Sequence, residues 1–385
     1  MAHWYPYTYS DLKAFLNKKW TARDRVRKTS MCKTLAGNDS DMIIITNFSS
    51  EDQQIADRQA VILSARVHPG ESNASFIMEG ILDFLVSDKP AACKLRDKFV
   101  FKILPMLNPD GVIVGNYRWS LAGVDLNRQW FSPHPMHHPE IYSCITMIKK
   151  TIESRPIHFF CDIHGHSRNK NLFMYGCNNF TGPDKLKERI FPFMFSQKEE
   201  NFSYDECSFN VQKTKESTAR VVMSKQGIQN SYTLECSFWG PTGGKYQDWH
   251  FNPPILKSMG REFCLNLLQY RENTKLVKEC YSLILDSFEN EQAALDSKFE
   301  MEKRPSNNGK KSKGKLQSHI SLDSSNIGAN SSTKKRAKGK NLKKSTSTSD
   351  KKRSHSAELK QLKPAKKKSA VSQSNSKPVK PKKKK

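Results

Sequence analysis

The chain has 385 residues, with 64 Lys and Arg against 38 Asp and Glu, for a net charge of +26. Residues 301–385 hold 27 basic and 4 acidic residues and no Phe, Tyr or Trp, which leaves 37 and 34 for residues 1–300, long enough to bury a full core. No secretory leader is visible at the N-terminus, the most apolar runs fall far short of the ~20 residues a membrane span requires, and nine scattered cysteines without a CxxC pair argue against a disulfide framework or zinc finger.

Short β-like apolar runs alternate with helical stretches, the pattern of an α/β fold. In chain order, strands are expected over Met42–Thr46, Ala60–Ala65, Phe99–Leu104, Ile157–Ile163, Asn171–Tyr175 and Ser231–Leu234. Between the second and third, Ser72 can cap a helix in which Phe76, Ile77, Ile81, Leu82 and Leu85 follow a 3.6-residue period. Further helices are expected from Ile141 to Glu153 and within Leu256–Leu285. The fold is expected to end near residue 300, where Arg304-Pro305-Ser306-Asn307-Asn308-Gly309 leads into lysine runs.

The run Val61 to Ala65 leads through Arg66-Val67 to His68-Pro69-Gly70-Glu71, an imidazole and a carboxylate three residues apart at the carboxyl end of a strand, where open α/β sheets bind ligands. Zinc accepts both groups, and a catalytic zinc needs three protein ligands and one open position. A third ligand is offered by Phe159-Phe160-Cys161-Asp162-Ile163-His164-Gly165-His166, in which His164 and His166 compete for the role and Asp162 can orient a ligand histidine. Glu235, at the end of the run that starts at Ser231, is the candidate base. His134, His137, His138 and Glu140 are interleaved with Pro133, Pro135 and Pro139 and read as an extended loop rather than a second metal site. Gly240-Pro241-Thr242-Gly243-Gly244-Lys245-Tyr246 is one residue short of a P-loop and carries Tyr at the magnesium position, so nucleotide binding is rejected.

Six segments in one order, HPGE (68–71), LNPDGV (107–112), GNYRWSLAGVDLNRQW (115–130), CDIHGHS (161–167), KESTARVV (215–222) and SYTLECSF (231–238), resemble the cytosolic carboxypeptidase family of M14 zinc metallopeptidases. The resemblance covers about residues 40–290. It implies a mixed, mainly parallel sheet with helices on both faces, one zinc per chain, and hydrolysis of C-terminal or branched glutamates on acidic proteins such as tubulin. By motif, it implies His68, Glu71 and His164 as zinc ligands, Glu235 as general base and acid, Arg118 as the oxyanion-stabilising residue, and Asn127 and Arg128 as the clamp on the terminal carboxylate. Glutamate specificity requires a further cation, for which Arg220 and Lys213 are the candidates.

Tyr5 to Leu12 resembles the junction that follows a β-rich domain in this family. Residues 1–30 therefore read as the remnant of a junction to an absent N-terminal domain, residues 31–300 as the catalytic domain, and residues 301–385 as a disordered Lys/Ser-rich tail. The lysine clusters of that tail suit polyanions: acidic tubulin tails, nucleic acid, or a nuclear import receptor. Two functions remain open, an active cytoplasmic zinc carboxypeptidase and an inactive microtubule- or nucleic-acid-binding protein acting through its tail.

Overall fold

The computed structural model describes residues 4–18 and 24–303, so the expected disordered tail lies, from residue 304, outside the described residues. In chain order the elements are α1 (Tyr9–Lys18), β1 (Val26–Lys33), β2 (Asp39–Ile45), α2 (Asp52–Asp57), β3 (Gln59–Ala65), α3 (Ser72–Leu85), α4 (Pro90–Lys98), β4 (Phe99–Leu104), α5 (Pro109–Val114), α6 (Pro139–Ser154), β5 (Ile157–His166), β6 (Leu172–Tyr175), α7 (Ile190–Ser196), α8 (Ala219–Lys225), β7 (Ser231–Ser237), α9 (Pro253–Glu272) and α10 (Thr274–Lys303).

The strands form one sheet in the order β1-β2-β4-β3-β5-β7-β6. Its centre, β4-β3-β5-β7, is parallel, while β2 and β6 run the opposite way and β1 pairs antiparallel with β2. The sheet is thus mixed and mainly parallel, and its central strands read as continuous apolar runs because both faces are covered. Along β3, Val61, Leu63 and Ala65 join an apolar layer with Ile77 and Ile81 of α3 and Met259 and Phe263 of α9. Ile62 points the other way, into a second layer with Ile148 of α6 and Val222 of α8. Helices α3 and α9 cross closely at Gly80 and Gly260, where a Cβ would fall 2.1 Å from Lys257 O and 2.2 Å from Ile77 O.

Three departures from the sequence reading matter for the site. First, β1 runs across the division expected at residue 30, and Leu12, Leu16 and Val26 are buried in the same core as the sheet. Its sequence, VRKTSMCK, is an edge strand with mostly exposed side chains, so it lacks the apolar run that marks the others. Second, Glu71 occupies the N-cap of α3 without a side-chain cap bond, and Ser72 Oγ instead donates to Tyr5 O at 2.7 Å. Third, β5 and β7 continue to His166 and Ser237, because the parallel ladder between them persists past the apolar residues. His164 and Glu235 therefore lie within strands rather than just beyond the expected strand ends at Ile163 and Leu234.

Candidate active site

Strand alternation decides which side chains reach the site. In β7, Tyr232, Leu234 and Cys236 enter the first apolar layer, so Thr233 and Glu235 face the opposite side, where they line a cavity. Asp162 and His164 of β5 share that side, and Asp162 accepts a 2.7 Å bond from Ser64 Oγ of β3. His68 and Glu71 arrive from the turn between β3 and α3. That turn is held by Gly70 N–H donating to Tyr117 O at 2.7 Å and by Asn108 Nδ2 donating to Val67 O at 3.1 Å. Gly70 is required there: a Cβ would lie 2.4 Å from the Tyr117 ring.

Three buried side chains converge as one cluster. The ligand atoms of His68, Glu71 and His164 all lie within 4.8 Å of one another, and among the described residues no other group of three or more His, Cys, Asp and Glu side chains does so. His68 Nδ1 is 2.7 Å from Glu71 Oε1, and His164 Nδ1 is 2.9 Å from Glu71 Oε2 and 3.2 Å from His68 Nδ1. Each ring turns its other nitrogen to a carboxylate: His68 Nε2 to Asp125 Oδ1 at 3.1 Å, and His164 Nε2 to Asp162 Oδ2 at 2.6 Å. Two imidazoles and a carboxylate with outer carboxylates on the histidines form a donor set that fits zinc. His166, two residues along β5, stands outside the cluster, its Nδ1 accepting from Asn169 N–H at 2.9 Å.

The electrostatics follow from burial and close charge. Burial works against an ionised Glu71, yet His68 and His164 outweigh it and hold the carboxyl well below its usual range. Burial would likewise lower His164, but Asp162 and Glu71 raise it well above the ordinary histidine value. Glu235 has no such pairing: burial pushes it up to about 7, with His164 opposing and Glu71 adding to the rise.

The cavity has a volume of about 580 Å³ and brings in Arg118, Asn127, Arg128 and Arg220 from the sequence-selected set. Arg118 donates through Nε to Asp125 Oδ2 at 2.9 Å, and its Nη2 lies 2.7 Å from the same oxygen. Asn127 Oδ1 accepts Ala219 N–H at 3.0 Å, which fixes the start of α8, and Arg128 Nη1 donates to Asn127 O at 3.0 Å. Arg220, in the first turn of α8, is buried, donates to Gly176 O at 3.1 Å, and sits 5.4 Å from the Tyr175 ring centroid. Lys213 is exposed and is not part of the lining; Lys215, two residues on, lines the cavity in its place. Burial, together with Arg128, Arg118 and Arg220, lowers the Lys215 ammonium below its usual value. Asp125, Lys215 and Arg168 are the residues the sequence reading passed over. Asp125 opens the DLNR segment and Lys215 the KESTAR segment, so proximity to the motifs was the one available signal.

The zinc carboxypeptidase family, Peptidase M14, matches residues 12–274. Cytosolic carboxypeptidase 2 of Homo sapiens is 50% identical over 275 residues, covering 70% of this chain and 30% of that protein. Cytosolic carboxypeptidase 3 of Bos taurus is 47% identical over 278 residues, covering 70% of this chain and 27% of that one. The chain thus spans about a third of the length of the curated relatives it matches. Among solved structures, a metallo-carboxypeptidase from Burkholderia cenocepacia superposes with a TM-score of 0.61 at 24% identity over 70% of each chain. The carboxypeptidase A from Helicoverpa armigera gives 0.54 at 18% identity, over 71% of this chain and 73% of that one. These two likenesses concern the fold, and it is the family match together with the sequence identities that establishes kinship. The chain belongs to the zinc carboxypeptidases, within their cytosolic carboxypeptidase family.

Proposed function

We propose that this chain is a zinc metallocarboxypeptidase that removes C-terminal or side-chain-linked glutamates from acidic proteins such as polyglutamylated tubulin. The observation that carries this reading is the charge of the cavity: Arg118, Arg128, Arg168, Lys215 and Arg220 surround the His68, Glu71 and His164 cluster, against the carboxylates of Glu71 and Glu235. Such a cavity favours a substrate that brings several negative charges into one small volume.

In this reading His68, Glu71 and His164 hold one zinc per chain. A bound zinc supplies Lewis acidity toward the scissile carbonyl and lowers the pKa of water. Glu235 takes a proton from the attacking water and returns it to the leaving amine, a task suited to a carboxyl that burial keeps near neutrality. Arg118 stabilises the negative charge that develops on the carbonyl oxygen. Asn127 and Arg128 hold the terminal carboxylate, where a guanidinium fork matches carboxylate geometry. Arg220 receives the side-chain carboxylate of the departing glutamate, with Lys215 in the position to assist that the sequence reading assigned to Lys213.

The lysine-rich residues 301–385 are proposed to draw acidic partners toward this cavity, and the cytoplasm is the proposed compartment. No helix among the described residues is long and apolar enough to cross a membrane. The test is release of free amino acid from a tubulin-tail peptide bearing a glutamate chain, beside matched peptides ending in leucine or lysine. Zinc-dependent release from the glutamate peptide alone is expected. Preferential release of leucine or lysine overturns the assigned substrate class.

A further inference from the structure

Arg66 stands between β3 and the turn that presents His68 and Glu71, and it adopts a positive φ of 60°. That left-handed conformation suits glycine and disfavours a residue with a Cβ. The side chain is 4% exposed, so a guanidinium is also withdrawn from water at a place where the backbone prefers no side chain at all. Two separate costs at one position point to a role for the side chain.

Its hydrogen bonds identify that role. Nε donates to Pro69 O at 2.8 Å, inside the turn between His68 and Glu71; Nη1 donates to Ser75 Oγ of α3 at 2.8 Å; Nη2 donates to Tyr7 O at 2.9 Å. All three acceptors are neutral oxygens, and they belong to three different segments. Tyr7 is itself fixed on α3, its hydroxyl donating to Glu79 Oε1 at 2.7 Å and its ring packing edge-on to Phe76 at 5.1 Å. Next to it, Tyr5 O receives the Ser72 hydroxyl. One planar fork therefore joins the segment around Tyr7, the first turn of α3 and the carbonyl at the middle of the metal-ligand turn.

We propose that Arg66 is a positioning residue for the metal centre, holding the turn from His68 to Glu71 against α3 and the Tyr7 segment so that both ligand atoms meet His164. This rests on the assignment of His68, Glu71 and His164 as zinc ligands. Arg66 is not in the cavity lining, and none of its three hydrogen bonds goes to a donor atom, although its charge faces that of Glu71; it acts by setting the path of the chain between two donors.

The experiment measures zinc affinity by competition with a chromophoric chelator, on the full chain, together with the melting temperature of each metal-free protein. Arg66→Gly removes the fork while suiting the backbone, and zinc binding is expected to weaken ~10–100-fold, the range seen when outer-shell partners of metal ligands are lost. Arg66→Lys is expected to restore only part of the affinity, because one ammonium cannot span three acceptors in a plane. Ser75→Ala, which removes one of the three bonds and disturbs the fold least, is expected to weaken zinc several-fold. Tyr7→Phe removes the bond to Glu79 but leaves Tyr7 O in place, so it is expected to lower the melting temperature without changing zinc affinity. Zinc affinities of Arg66→Gly and Ser75→Ala within twofold of the unmutated chain overturn the assignment of Arg66. An unmutated chain that binds no zinc overturns the metal assignment itself.

Discussion

His164 and Glu235 are register partners on the adjacent parallel strands β5 and β7, so the sheet ladder itself sets a metal-cluster histidine beside the buried carboxyl proposed as the base. Neither residue depends on a loop for its position. The Glu235→Gln variant, which keeps the shape and loses the titratable oxygen, is therefore expected to lower kcat by ~10²–10⁴-fold. Zinc content is expected to be unchanged, since Glu235 is not among the three clustered donors. Loss of zinc together with activity, read by metal analysis of the purified variant, shows instead that the carboxylate supports the metal.

Asp125 joins two parts of the site, accepting from Arg118 on Oδ2 while Oδ1 meets His68 Nε2. Asp125→Asn removes the charge that both partners face. Zinc affinity is expected to fall by ~10–100-fold. Measured at saturating zinc, kcat is expected to fall as well, because Arg118 is no longer anchored. Full activity at saturating zinc places the whole effect on the His68 side.

The cations divide by position. Arg220 is buried on the cavity wall, Lys215 is half-buried in the lining, and Lys213 is exposed outside it. Arg220→Gln is expected to raise KM for a glutamate-ended peptide by ~10–100-fold, the worth of a charge-assisted hydrogen bond. Lys215→Gln is expected to raise it several-fold, and Lys213→Gln to leave it unchanged. A Lys213 variant with the larger KM effect reverses this order.

Glu140, in the first turn of α6, is buried, and that burial pushes its carboxyl up to about 7, with Asp110 adding to the rise. Because the folded value exceeds the unfolded one, the unfolded chain releases this proton first as pH rises. Stability from this group is complete below the unfolded value, ~4.5, and is lost as pH climbs through the folded value. Glu140→Gln is therefore expected to raise the melting temperature by a few degrees at pH 8 and by little at pH 5. Equal gains at both values, read by thermal scans, remove titration as the cause.

The candidates His68 and Glu71, the segment bearing His164 and the acid at Glu235 were legible in the sequence because each sits in or just beyond an apolar run, and runs and short spacings are local properties. Four of the six expected strands have ends that agree with the sheet or fall short of it by a few residues, and the other two overrun by one, for the apolar residues alone mark a strand while the ladder can carry polar ones further. The choice between His164 and His166 was not local. It was decided by how far along β5 the turn after β3 reaches, which depends on the pairing of β3 with β5. The exposed edge strand β1, the hold of Asp125 on His68, the exchange of Lys213 for Lys215 and the fork of Arg66 were likewise invisible along the chain. Composition and spacing name the groups that can do chemistry, because donor type and turn propensity belong to single residues and their neighbours. Which of those groups meet belongs to the tertiary structure, because strand register and the face each side chain takes are set by contacts between residues tens of positions apart.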